Sequence, residues 1–139
     1  MGQERDDSNL LKKHLVIPTK KKLTPNQLST GLFAWKVVKH TKSNAIVVAK
    51  NNKIISISGG QTSRVDATKI AFEKTKIPKG CVVASDAFFP FKDSIEKMAQ
   101  YKIAAIIQPG GSIRDSEVVE SCNKNKIAMA FTGFRVFKH

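Results

Sequence analysis

Apolar residues recur along much of the chain at spacings that distinguish helices from strands. The stretch LSTGLFAWKVVKH places an apolar residue every three or four positions, which indicates an amphipathic helix. Thr24-Pro25-Asn26-Gln27, just before it, has the form of a helix start, with Thr24 as the N-cap and Gln27 completing a capping box. Further helices are predicted over residues 63–76, 93–101 and 115–124.

Short apolar runs between these helices predict five strands. Residues 44–49 and 54–57 flank the polar Lys50-Asn51-Asn52-Lys53 and predict an antiparallel hairpin. The runs CVVAS, IAAIIQ and IAMAF are almost wholly apolar, as expected of central strands buried on both faces. The pattern predicts an α/β fold with three layers, α/β/α, around a mixed sheet. Residues 1–22 are polar and aperiodic, so an N-terminal arm is expected there and the packed domain over 23–139.

Composition narrows the class of protein. The 139 residues are 41% hydrophobic, which suits one globular domain. The sequence lacks an apolar run long enough to span a membrane, and its first residues do not resemble a signal peptide, so a cytoplasmic protein is expected. Cys81 and Cys122 have no metal-ligand spacing, so we expect reduced thiols and no zinc.

The net charge of +13, from 24 Lys and Arg against 11 Asp and Glu, has two interpretations. It could attract an anionic partner, either nucleic acid or a small phosphorylated or carboxylated ligand. It could equally be a lysine-rich solvated surface. Only four of the 24 cations are arginine, and the chain shows no array of arginines and aromatics on one face, so nucleic acid is disfavoured.

Unusual loops follow the predicted parallel strands, where α/β sheets usually bind ligands. They are SDAFFPFKD after CVVAS, QPGGSIRD after IAAII, and TGFRVFKH after IAMAF; SGGQTSR follows the second hairpin strand. The glycine pair of QPGGSIRD allows close approach of a ligand, or forms a plain turn in which Ser112 caps the next helix. Asp93 with Glu96 has the form of a capping box, which is compatible with ligand contact. Asp86 ends a buried strand and therefore needs hydrogen bonds or a cation.

Five segments, in order from about residue 24 to 139, resemble one family. They are FAWKVVKHTKSNAIVVAK, GGQTSRVDATKIA, SDAFFPFKDSIE, IIQPGGSIRD and AFTGFRVFKH. They are similar to the aminoimidazole carboxamide ribonucleotide (AICAR) transformylase region of the bifunctional purine-biosynthesis enzyme whose other half is IMP cyclohydrolase. The resemblance implies formyl transfer from 10-formyltetrahydrofolate to AICAR, a cytidine-deaminase-like subdomain without zinc, and a homodimer.

The resemblance also implies roles for particular residues. The nucleotide is expected at Asn44, Phe88 and Arg135. The folate wall is expected at Arg64, Val65, Pro90, Phe91, Asp93 and Ser112. A monovalent cation such as K⁺ is expected near Thr41, Ser43 and Asp86.

One departure from the family concerns the chemistry. The family's catalytic lysine-histidine pair belongs to the first transformylase subdomain. Lys39-His40 of this chain is a different motif. The cyclohydrolase domain is also missing, so we expect the carboxyl-terminal transformylase subdomain alone, without confident catalytic residues. The alternative is a stand-alone, non-catalytic module on the same scaffold that binds a nucleotide or nucleic acid.

Overall fold

Helices and strands alternate through residues 15–89 and 92–133, the parts of the chain that the computed structural model describes. The helices are α1 (Pro25–Lys39), α2 (Arg64–Glu73), α3 (Lys92–Ala99) and α4 (Asp115–Lys124). The strands are β1 (Ile46–Lys50), β2 (Lys53–Ser58), β3 (Val82–Ser85), β4 (Ala105–Gln108) and β5 (Ala128–Phe131). None of the helices in these residues has the length and apolar content needed to cross a membrane.

The five strands form one mixed sheet in the order β2-β1-β3-β4-β5. Strand β1 pairs antiparallel with β2 and β3, whereas β3, β4 and β5 run parallel. At the β1–β2 turn, Asn51 and Asn52 adopt φ values of 51° and 61°. Two left-handed residues in a row are typical of a type I′ hairpin turn, which asparagine tolerates better than most residues. The predicted hairpin and mixed sheet are confirmed.

The sheet is covered on both faces, which confirms the three-layer α/β/α architecture. On one face, Trp35 and Val38 of α1 pack with Val47 and Ile107. Helices α2, α3 and α4 cover the other face, with Phe72, Ile95 and Val118 in a second core cluster. Every residue of β3 and β4 is buried, as expected for central strands.

The helix starts agree with the sequence at α1 and α4 and differ by one residue at α2 and α3. Thr24 caps α1, and both hydrogen bonds of the capping box with Gln27 are present. Helix α3 already begins at Lys92, so Asp93 lies in its first turn and the prediction that it starts the helix is wrong by one residue. A carboxylate in the first turn is still stabilised by the positive end of the helix dipole.

Ser112 does not cap α4, so that interpretation is also wrong. The hydroxyl of Ser112 accepts from the N–H of Arg114, which lies before the helix. Asp115, the first helical residue, folds back instead, and its carboxylate accepts from the N–H of Gly111 (2.7 Å) and of Ser112 (3.2 Å). Two carboxylate oxygens can hold two loop amides, which one serine hydroxyl cannot.

Residues 15–19 pack against the sheet, in contrast to the arm expected over 1–22. Leu15 and Ile17 contact the α1-side core, and Val16 forms an isolated antiparallel bridge with Phe131. Thr19 is 1% exposed. Residues 1–14 lie outside the described residues, and the division of the chain near residue 22 stays a prediction.

The two cysteines are free and buried, in agreement with the expectation of reduced thiols. Burial raises the pKa of the Cys122 thiol to about 12. Burial also raises the pKa of Cys81, with a smaller opposing effect of Lys50. Thiols kept neutral in this way are poor nucleophiles.

Candidate functional site

One edge of the sheet collects most of the loops that the sequence singled out. The carboxyl ends of the three parallel strands lie there, and the register places Ile46 opposite both Ser58 and Ser85. The start of β1 and the end of β2 therefore lie at that edge too. Residues 41–45, 59–63, 86–89 and 109–114 leave the sheet at this carboxyl edge, as expected of an α/β ligand site.

A buried ion pair lies at the centre of the edge. Arg64 Nη2 lies 2.7 Å from Asp86 Oδ1, and the two side chains are 6% and 11% exposed. Asp86 Oδ1 also accepts from the N–H of Ala45 (3.1 Å), and Oδ2 accepts from the hydroxyl of Ser43. Arg64 Nη1 donates to the carbonyl of Ala45 at 2.8 Å. The acid that ends β3 is thus hydrogen-bonded, as its position required.

The same arginine fixes Asn44. Arg64 Nη2 donates to Asn44 Oδ1 at 2.9 Å, while Asn44 Nδ2 donates to the carbonyl of Gln61 at 3.0 Å. The backbone N–H of Asn44 donates to the same carbonyl at 3.1 Å. Both ends of the Asn44 carboxamide are therefore held in one orientation. Sequence reasoning missed Gln61, which contributes through its backbone and so leaves no side-chain signal.

The contacts of Arg64 differ from those of an open ligand wall. Both of its terminal nitrogens are occupied by protein acceptors, and its buried Nε has no hydrogen-bond partner within the described residues. A guanidinium held in this way organises its neighbours.

Each of the three residues expected near a monovalent cation forms a hydrogen bond or an ion pair within the protein. The hydroxyl of Thr41 donates to the carbonyl of Val37, at the end of α1. The Asp86 carboxylate already faces Arg64, whose positive charge offsets its own. Backbone carbonyls, hydroxyls and waters also coordinate such cations, so the K⁺ ion near these three residues stays a prediction. Within residues 15–89 and 92–133, no group of three or more His, Cys, Asp or Glu is arranged to hold a metal ion.

A groove of about 720 Å³ runs between α2 and α3 and brings Val65 and Asp93 together. Val65 is 50% exposed, so an apolar face is open to a ligand. Phe72 and Tyr101 also line the groove, with ring centroids 4.8 Å apart. Sequence reasoning named the first two residues and missed the two rings. The exposed side chain of Val65 and the carboxylate of Asp93, which line the same groove, can contact a planar heterocycle that carries N–H donors.

The aromatic loop after β3 divides its phenylalanines between core and surface. Phe89 is fully buried, and its N–H donates to Gln108 Oε1 at 2.9 Å. Phe88 is 41% exposed at the carboxyl edge. Gln108 is a buried polar residue that the sequence reasoning missed, although a glutamine ending an apolar strand is a usable signal.

The glycine loop, defined here as residues 109–112, adopts a conformation that requires glycine. Gly110 and Gly111 have φ values of 80° and 100°. A Cβ added at Gly110 would lie 2.9 Å from Cγ of Phe131, so the loop backbone rests on that ring. Ser112 is half-buried in the loop.

The structure therefore joins the expected site residues in two groups. Ser43, Asn44, Arg64 and Asp86 share hydrogen bonds, and Val65 and Asp93 share the groove. Pro90, Phe91 and Arg135 lie outside the described residues.

Comparison with known proteins agrees with the resemblance seen in the sequence. A family model described as AICARFT/IMPCHase bienzyme matches residues 1–74. Proteins called bifunctional purine biosynthesis protein PurH are similar over most of the chain. The protein from Aquifex aeolicus is 54% identical over 139 residues, which cover 97% of this chain and 28% of that protein. The protein from Acetivibrio thermocellus is 56% identical over 126 residues, which cover 90% and 24%. The chain spans about a quarter of the length of these relatives.

Proposed function

This chain belongs to the AICARFT/IMPCHase bienzyme family, and we propose that it is the carboxyl-terminal subdomain of the AICAR formyltransferase part. On this proposal it binds AICAR and 10-formyltetrahydrofolate and orients them for formyl transfer in purine biosynthesis. The observation that carries the proposal is the gathering of the Asn44 network, the Asp93 groove and the glycine loop around one edge of the sheet. The cytidine-deaminase-like label, the homodimer and the cytoplasmic location belong to the same proposal.

The nucleotide is assigned to the Asn44 side of the edge. Asn44 is fixed at both ends of its carboxamide, so it can present a rigid hydrogen-bonding edge without losing side-chain entropy on binding. Phe88 offers an exposed ring to stack on a heterocycle. Arg135 is assigned to the phosphate because its guanidinium can form two parallel hydrogen bonds. Arg64 is assigned to positioning Asn44, since its terminal nitrogens are already occupied.

The folate is assigned to the groove between α2 and α3 and to the glycine loop. Asp93 would accept N–H groups of the pteridine ring, and Val65 would contact its apolar face. Pro90 and Phe91 precede Asp93 in sequence and extend this wall. Ser112 is assigned to the side of the folate opposite this wall, on the glycine loop that Asp115 holds in place.

Orientation is the contribution that these residues can make to the reaction. The AICAR amine is a weak nucleophile, because its lone pair is delocalised into the ring and the carboxamide. It attacks the formyl carbon, the bond from that carbon to folate nitrogen breaks, and a proton passes from the amine to the departing nitrogen. Holding the amine against the carbon raises the effective concentration of the reactants. The proton transfer is assigned to the lysine-histidine pair of the missing subdomain.

Complementation tests this assignment. We expect the purified chain to show no formyl transfer from 10-formyltetrahydrofolate to AICAR, and to support it when mixed with the missing transformylase subdomain. Fast turnover by the chain alone would contradict the division of roles, and a mixture that stays inactive although both parts bind each other would contradict the proposal.

Calorimetric titration separates the proposal from the stand-alone module. We expect binding of AICAR and of 5-formyltetrahydrofolate, a stable folate analogue, by the mixture of the two subdomains. Binding of a mixed-sequence oligonucleotide with a steep salt dependence, and of neither small molecule, would favour the module instead.

A further inference from the structure

The outer edge of β5 is covered by the start of the described chain. The N–H of Val16 donates to the carbonyl of Phe131 at 3.0 Å, and the N–H of Phe131 donates back to Val16 at 2.7 Å. Thr19 Oγ1 accepts from the N–H of Met129 at 2.9 Å. We call residues 15–20 the edge segment. It satisfies two backbone N–H groups of β5 that the parallel pairing with β4 leaves open.

Phe131 connects the edge segment to the glycine loop. Its backbone is held by Val16 on the outer side, and the ring lies under Gly110, where even one added carbon would clash. Beyond Gly110, the N–H groups of Gly111 and Ser112 both donate to Asp115. The loop is thus held at its far end by a carboxylate of α4 and at its near end by a ring that the edge segment keeps in place.

We propose that the edge segment is a positioning element of the ligand site, which sets the conformation of the glycine loop through Phe131. The identity of the ligand at the glycine loop rests on the proposed function. The link from the edge segment through Phe131 to the loop does not depend on it. Phe131 is the last residue of an edge strand, so without the edge segment its backbone has hydrogen bonds to β4 alone. Movement of its ring then removes the support under Gly110, and the amides beyond it leave the Asp115 carboxylate more often.

Amide hydrogen exchange followed by NMR tests the link in the full chain. Val16→Pro removes the N–H that donates to Phe131, whereas Val16→Ala keeps it and serves as the matched control. In the proline variant we expect exchange at Gly111 and Ser112 to become about fivefold faster, the equivalent of one lost hydrogen bond. The N–H of Ala45 donates to Asp86 at the carboxyl edge, away from the edge segment. Its exchange is expected to stay unchanged.

A second pair of variants covers the case in which Val16→Pro does not fold. Thr19→Ala removes the acceptor of the Met129 N–H, and Thr19→Ser restores a hydroxyl at the same place. We expect the alanine variant to accelerate the glycine-loop amides and the serine variant to return them to the original rate. Acceleration at Ala45 to the same extent would mean a general loss of stability and overturn the proposal. Unchanged exchange in the loop would overturn it as well.

A binding measurement connects the link to the site. With the missing subdomain present, we expect the Thr19→Ala variant to bind 5-formyltetrahydrofolate several-fold more weakly and AICAR unchanged; equal losses for both would overturn the specific role of the loop. If the unmodified chain mixed with that subdomain binds neither molecule, the proposed function fails, and the exchange experiment still decides the mechanical link.

Discussion

Breaking the buried ion pair at the carboxyl edge is the strongest test of how the site is held together. Asp86→Ala leaves the guanidinium of Arg64 buried without its anion and removes the acceptor for the Ala45 N–H. Asp86→Asn keeps an oxygen in place but removes the charge. The double variant Arg64→Met with Asp86→Ala replaces the pair by apolar groups, and methionine matches much of the arginine stem.

The burial of the ion pair determines how much free energy of unfolding is lost when one partner is removed. Removing one partner of a buried ion pair costs about 3–5 kcal/mol, because the other charge stays desolvated. We expect Asp86→Ala to fall in this range and Asp86→Asn to lose about half as much, since its amide oxygen still accepts a hydrogen bond. The double variant should be more stable than the sum of its single changes predicts, by roughly 1–3 kcal/mol. A typical domain has only about 5–15 kcal/mol in total, so the alanine variant should be near its stability limit.

Urea unfolding provides the assay. Trp35 is the chain's only tryptophan and is 4% exposed, so its fluorescence reports loss of the core. The matched control is Glu117→Ala, which breaks the pair of Glu117 with Arg114 on the surface, where the two side chains are 36% and 49% exposed. That change should cost less than about 1 kcal/mol. Equal losses for the two alanine variants, or strict additivity in the double variant, would refute the view that the buried pair organises the edge.

Three further predictions concern the glycine loop, the thiols and the ligands. Gly110→Ala should destabilise the fold by about 1–3 kcal/mol in urea unfolding, because its φ is 80° and an aromatic ring fills the space, while the control Gly31→Ala in α1 meets ordinary contacts and should be neutral or slightly stabilising. The pKa of Cys122 rises from an ordinary 9.0 to about 12 on folding, so its contribution is complete below pH 9 and is lost as the pH rises towards 12. On the order of 1 kcal/mol should be lost by pH 10, and a Cys122→Ala variant with the same alkaline loss would contradict this. Asp93→Ala should weaken 5-formyltetrahydrofolate more than AICAR in calorimetry and Arg135→Ala the reverse, whereas equal losses would indicate damage to folding.

The sequence was sufficient where structure follows from local spacing. The helix start at Thr24 rests on hydrogen bonds between residues three apart, and the apolar strands are buried because they lack polar positions. The position of the unusual loops at the carboxyl edge of the sheet followed from strand order alone. Helix boundaries were less accurate, because one residue decides whether Asp93 precedes α3 or lies inside it.

Contacts between residues far apart in the sequence could not be predicted. That Asp86 needs a partner was readable from its place after a buried strand, but the partner lies 22 positions earlier, on α2, and was assigned to the ligand instead. The hydrogen bond of Thr19 with Met129 spans 110 residues, so a lysine-rich stretch with few apolar residues looked like an unpacked arm. The groove and its two rings depend on how α2 and α3 lie across the sheet, which periodicity does not determine.

The bridge between Val16 and Phe131 also decides how this unit can be joined to other protein. Because the pairing is antiparallel, the backbones at Val16 and Phe131 run side by side in opposite directions, one strand spacing apart. A unit with neighbouring entry and exit points can be inserted into a surface loop of a host, or circularised with a short linker, without moving any strand.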